Sequence, residues 1–127
     1  MMLDDPNAHS LLVSSRWRQG GKTTALLDIA LANARRGLDV VFWSARAVES
    51  EEAFRLGQRL AHVDLDMKSS AANGDQWIGY QRSGGRVSFI WGHTGRYRRG
   101  HDMEIRDDSG LSGLIERRSE RRGMSVI

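Results

Sequence analysis

Apolar residues fall into short blocks separated by polar and glycine-rich stretches, and each block carries its own period. Residues 9–15, HSLLVSS, hold a brief continuous apolar run, long enough for one buried strand. Over 22–36, KTTALLDIALANARR, the period becomes helical. Leu26, Ile29, Ala30 and Asn33 form one stripe, and Leu27, Ala30, Leu31 and Ala34 the next. Arg35 and Arg36 suit the negative end of that helix, and Gly37 is its expected stop. Residues 38–45, LDVVFWSA, predict a second buried strand with a β-branched and aromatic centre. Residues 50–61, SEEAFRLGQRLA, read as a second helix, with Ser50 as its cap, acids in the first turn, and Phe54 or Leu56 with Leu60 on the apolar side.

A strand, helix and strand joined by short connections imply a right-handed parallel βαβ unit. Residues 66–75 then read as a polar loop. The stretch 76–91, QWIGYQRSGGRVSFIW, has the pattern of a hairpin: Val87, Phe89 and Trp91 alternate to one face, and Ser83, Gly84 and Gly85 supply the turn. Residues 92–102 are basic, glycine-rich and irregular, while MEIRDD, 103–108, has the length of a short strand. LSGLIERRSERR, 111–122, predicts a weak amphipathic helix running into a basic tail. There is no internal repeat.

The length, 127 residues, suits one domain with a single core. Cysteine is absent, which excludes disulfides and thiolate metal sites. His9, His62, His93 and His101 have no metal-ligand spacing. No apolar run approaches the ~18 residues of a membrane span. The opening MMLDDPNAHS is acidic where a secretion signal is basic. A soluble, cytoplasmic protein is expected. The formal net charge of +3 is modest, but arginine is concentrated late in the chain, in RYRR (96–99) and ERRSERR (116–122). The arginine fork suits phosphate oxygens. Arg96, Arg98, Arg99, Arg117, Arg118, Arg121 and Arg122 are therefore candidate contacts to a DNA backbone, with a solvated surface as the alternative.

The strongest chemical signal lies between the first strand and the first helix, in RWRQGGKTT (16–24). A strand, a glycine-rich turn and a helix opening on Lys-Thr form the setting of a phosphate-binding loop. Gly20 and Gly21 let backbone N–H groups approach phosphate oxygens, and the helix N-terminus adds partial positive charge. Lys22 can reach the β- and γ-phosphates, and Thr23 can ligate Mg²⁺. Arg16 stands where such loops usually begin with glycine, and Arg18 adds a second cation inside the loop. An arginine at the γ-phosphate stabilises charge that develops during phosphoryl transfer. Trp17 could stack on a base or cover the edge of the core.

Arg18, Gln19, Gly20, Gly21, Lys22 and Thr23, following a short strand, resemble the variant loop of the ATPase domain of large terminases, the DNA-packaging motors of tailed phages. VVFWSARAVESEEAFRL (40–56) looks like that family's second strand and helix. Residues 83–108 look like its hairpin, Arg-Gly pair and acidic Walker B strand. The resemblance implies an α/β fold, a small P-loop NTPase-like parallel sheet flanked by helices, with a β-hairpin insertion. It implies a core over 1–110 and a basic C-terminal helix and tail over 111–127. It further implies ATP and Mg²⁺ as cofactors, and Arg16, Gln19, Gly20, Gly21, Lys22, Thr23 and Thr24 around the nucleotide. Arg18, Lys22 and Asp108 take catalytic roles, and Thr23 and Asp107 attend the metal. Phage proteins, DNA and further copies of the chain are the partners such a protein would have, in the host cytoplasm. Two features depart from the pattern. Glu104 and Arg106 interrupt the Walker B strand, which predicts an edge strand, a loop or a degenerate relic. Asp108 replaces the family's glutamate. The chain spans less than a whole packaging motor, so it reads as a small stand-alone relative or a fragment. A non-catalytic module of the same fold and, further off, a truncated helicase-like core are the alternatives.

Overall fold

The computed structural model describes residues 8–14, 20–92, 101–107 and 112–118, with side chains described over 21–92 and 101–107 and at Ile115. The elements are β1 (Ala8–Ser14), α1 (Gly20–Arg35), β2 (Asp39–Ser44), α2 (Ala47–Ala61), β3 (Met67–Ser70), β4 (Gln76–Tyr80), β5 (Arg86–Trp91), β6 (Met103–Asp107) and β7 (Ser112–Arg118). They build an α/β fold with one seven-stranded sheet in the order β1-β7-β6-β2-β5-β4-β3. β2 runs parallel to β5 and β6. β7 is antiparallel to both β1 and β6, so β1 and β6 point the same way. β4 is antiparallel to β3 and β5. The sheet is therefore mixed: the expected hairpin is β4 and β5, and β3 and β7 add further antiparallel pairings to the expected parallel sheet.

From β1 to β2, and again from β2 to β3, the chain steps in one direction across the sheet. Right-handed crossovers in a constant direction place their helices on the same face. α1 and α2 accordingly pack against each other and on a shared core. The strands alternate against that face: Val40 and Phe42, Ile78 and Tyr80, Val87 and Phe89, and Met103 and Ile105 all join it. From above come Leu26, Leu27, Ala30, Leu31 and Ala34 of α1, with Ala53, Phe54 and Ala61 of α2. Phe89 meets Phe42 and Phe54 with ring centroids 5.5 Å apart in each pair. Trp91, third in the expected alternation, is 48% exposed at the strand's end.

Two glycines permit this closeness. A Cβ on Gly57 would stand 3.0 Å from Ile78 Cδ1, so α2 lies low on the sheet. A Cβ on Gly85 would stand 1.8 Å from the carbonyl oxygen of Ala34, where the β4–β5 turn abuts the last turn of α1. Ser83 Oγ donates to that same oxygen at 3.0 Å.

Four expectations change. α2 begins at Ala47, with Arg46 in extended conformation before it, so Ser50 lies inside the helix at 1% exposure and does not cap it. The buried stripe Ser50, Ala53, Phe54, Gly57, Ala61 keeps a helical spacing back to Ser50, which carries the helix past the expected cap. Within the expected loop 66–75, Met67–Ser70 forms β3 because β4 offers an open edge, and Met67 packs on the core. The expected C-terminal helix is strand β7, which satisfies the facing edges of β1 and β6 together. That tertiary demand outweighs a weak helical pattern containing Gly113. Finally, β6 is an interior strand, neither an edge strand nor a loop.

At the end of the molecule remote from the α1 N-terminus, Tyr80 donates its hydroxyl to Asp64 Oδ2 at 2.8 Å, and Arg35 Nε reaches the same oxygen at 3.0 Å. Burial, and then the bond to Asp64, push the Tyr80 phenol well above its ordinary value. Among the described residues no helix is long and apolar enough to cross a membrane.

Candidate functional site

α1 opens directly on Gly20 and Gly21, and its first turn contains no acidic residue of its own. Unpaired N–H groups and the helix dipole favour an anion at such an end. Asp107, at the C-terminal end of β6, supplies one from far along the chain. Lys22 Nζ lies 2.9 Å from Asp107 Oδ1. Thr23 Oγ1 donates to Asp107 Oδ2 at 2.8 Å. The topology accounts for the meeting. β1 and β6 run in the same direction with β7 between them, so the end of β1, the start of α1 and the end of β6 share one rim of the sheet. Asp107 also shares the parity of Met103 and Ile105, which sets it on the helix-covered face. Lys22 is 3% exposed and the Asp107 side chain 11%. An ammonium this buried needs its carboxylate, because an uncompensated buried charge costs several kcal/mol, ~3–5 in broken pairs.

The charges inside β6 are accommodated on the sheet's other face. Arg106 Nε donates to Glu104 Oε2 at 2.8 Å, and His101 Nε2 lies 3.8 Å from Glu104 Oε1. The Arg106 guanidinium also covers the Trp43 ring at 5.7 Å, and the Arg106 side chain is 45% exposed. Glu104 is thus buried but paired, while Ile105 and Met103 alternate into the core. An interior strand tolerates both charges for this reason. Asp102, just before β6, accepts the backbone N–H of Asp39 at 2.9 Å and fixes the entry of the strand.

Sequence reasoning did not single out Ser44. It ends β2 directly beside Asp107 in the parallel register, is 1% exposed, and its Oγ has no hydrogen-bond partner. A buried hydroxyl without a partner costs ~1–3 kcal/mol. Its signal in the sequence was a polar residue closing an otherwise apolar strand, VVFWS.

The structure brings together Lys22, Thr23 and Asp107, with Gly20 and Gly21 in the same helical turn. Thr24 is the next residue of α1 and is partly exposed. Arg16, Arg18, Gln19 and Asp108 lie outside the described residues, as do Arg96, Arg98, Arg99, Arg121 and Arg122. Arg117 and Arg118 belong to β7, and their side chains are likewise outside the description.

Among the described residues no group of three or more histidines, cysteines or carboxylates is arranged for a metal ion. Mg²⁺ does not demand one. It keeps several waters and takes one or two protein oxygens beside phosphate. The hydroxyl of Thr23 and the carboxylate of Asp107, 2.8 Å apart, are hard oxygen donors of that kind, so the residues present fit a hydrated Mg²⁺. No known protein family, curated protein or solved structure matches the chain.

Proposed function

We propose that this chain binds and hydrolyses ATP as a terminase-like protein, acting on DNA or beside a DNA-packaging machine in the host cytoplasm. One observation carries the reading. Lys22 and Thr23, at the start of a helix that follows a β-strand, converge on Asp107 at the end of a second strand running the same way. A lysine, a hydroxyl and a carboxylate in that relation are the parts a phosphate-and-magnesium site needs.

The residues then divide the work. Gly20 and Gly21 leave backbone N–H groups open to phosphate oxygens. Lys22 turns from Asp107 towards the β- and γ-phosphates, exchanging one anion for another. Thr23 and Asp107 hold the cation, which when bound neutralises charge between the phosphates. Arg18 and Gln19 precede the helix in sequence, and Arg18 takes the role of the arginine that acts in cis on the γ-phosphate. Arg16 is assigned to nucleotide binding and not to catalysis. Asp108 orients the attacking water, with one methylene fewer than the glutamate of the resembled family. The arginine-rich stretches provide a sequence-independent grip on DNA, and binding then weakens with salt by a slope of about −0.9 per phosphate contacted.

A second reading is favoured by one feature of the same site. Lys22 and Thr23 both engage Asp107, and Lys22 is almost wholly buried. A non-catalytic module would keep this group as a purely structural link. Single-turnover hydrolysis of Mg²⁺-ATP, with and without duplex DNA, separates the two. The catalytic reading expects turnover in the wild type and a loss on the order of 10³-fold in Arg18→Ala with little change in ATP affinity. Wild-type protein that binds ATP yet hydrolyses none above background, with or without DNA, leaves the structural reading in place.

A further inference from the structure

We infer that Ser44 is an additional positioning residue of this site, its hydroxyl holding a water of the hydrated divalent cation that Thr23 and Asp107 are suited to take. The inference rests on the nucleotide reading above. Val40 and Phe42 face the helices, and the period of two along β2 puts Ser44 on that face as well. Asp107 faces the same way, as its contacts with α1 show. Ser44 and Asp107 are register partners on adjacent parallel strands, and such strands lie only about 4.8 Å apart. The Ser44 side chain therefore lies on the same face of the sheet as the Asp107 carboxylate, one strand away.

The state of this hydroxyl is unusual. The backbone of Ser44 is employed, its carbonyl accepting the Gly92 N–H at 3.1 Å. The side chain is buried to 1% exposure and its Oγ meets no partner. Native interiors rarely leave a polar group so, because it surrenders hydration and gains nothing. Ser50, in the first turn of α2, repeats the pattern: 1% exposed, Oγ unpartnered. α2 follows closely on β2, so both hydroxyls belong to the rim that carries Asp107. A hydroxyl both donates and accepts, which suits a cation-bound water. Mg²⁺ binds with most of its waters kept, and those waters need polar neighbours. Alanine would serve as well as serine if Ser44 were there only for its size.

The two roles predict opposite results for Ser44→Ala, which removes one oxygen and adds no bulk. Calorimetric titration with ATP in Mg²⁺ and with ATP in a chelator, paired with urea denaturation without nucleotide, reads both. We expect roughly fivefold to tenfold weaker binding in Mg²⁺. Chelated ATP should bind as it does to wild type, and unliganded stability should be equal or higher. Ser44→Thr, which keeps the hydroxyl, should recover the Mg²⁺-dependent affinity. Equal Mg²⁺-ATP affinity in wild type and Ser44→Ala overturns the inference while the nucleotide reading stands. A Ser44→Ala protein that is less stable without nucleotide and weaker for ATP regardless of metal also overturns it. No ATP binding by the wild type at all removes the nucleotide reading, and the inference with it.

Discussion

Replacing Asp107 by alanine should destabilise the protein even when no nucleotide is present. The carboxylate receives Lys22 on one oxygen and Thr23 on the other, at 2.9 and 2.8 Å. Its loss takes the carboxylate from an ammonium that is only 3% exposed. Breaking a buried pair in this way costs ~3–5 kcal/mol, whereas exchanging both partners for apolar residues is often neutral. Asp107 itself retains 11% exposure, which sets the expectation at the lower end, about 3 kcal/mol. With a urea m-value near 1.5 kcal/mol/M, the midpoint falls by about 2 M. Lys22→Met combined with Asp107→Leu should lose much less than Asp107→Leu alone, giving a large coupling energy in the double-mutant cycle. Urea denaturation of wild type, both single variants and the double variant is the assay. A midpoint shift below about 0.3 M for Asp107→Ala, or strict additivity in the cycle, would refute the account of a buried, interdependent pair.

Gly85→Ala should cost about 3 kcal/mol in thermal denaturation, since its Cβ would fall 1.8 Å from the Ala34 carbonyl oxygen; a neutral result would mean the hairpin stands off α1. Ile115→Ala should cost ~2–4 kcal/mol, as expected of a side chain at 6% exposure in the core and not of a surface tail. Tyr80 has a folded pKa raised by burial, so the stability it contributes is present below the unfolded value of about 10 and is lost as pH rises beyond it. Melting temperatures from about pH 8 to about pH 11 should therefore fall more steeply for wild type than for Tyr80→Phe, and parallel profiles would contradict this.

The elements carried by local pattern were legible in the sequence. The run around Leu11–Val13, the helical period of Leu26 to Ala34, and the alternation of Val87 and Phe89 each needed no distant information. β7 was not legible, because Leu114 and Ile115 are adjacent and fit neither period cleanly; what makes it a strand is the pair of edges awaiting it. β3 has only four residues and owes its existence to β4. Asp107 could be named only through the resemblance, since no spacing rule links it to Lys22 and Thr23 some eighty-four residues earlier. Glu104 and Arg106 obscured β6, because two charges in so short a run hide the apolar alternation of Met103 and Ile105, although they pair with each other along the strand. Ser44 went unnoticed because the sequence gives burial poorly and hydrogen-bond satisfaction not at all.

The central claim is that Lys22, Thr23 and Asp107 form a nucleotide site, and equilibrium titration of Mg²⁺-ATP into the protein, followed by calorimetry, tests it most directly. The account predicts saturable one-to-one binding in the wild type and loss of most of the affinity in Lys22→Ala. It also predicts that Mg²⁺ no longer enhances binding in Asp107→Asn. Absence of binding by the wild type at millimolar Mg²⁺-ATP, or unchanged affinity in Lys22→Ala, would contradict it.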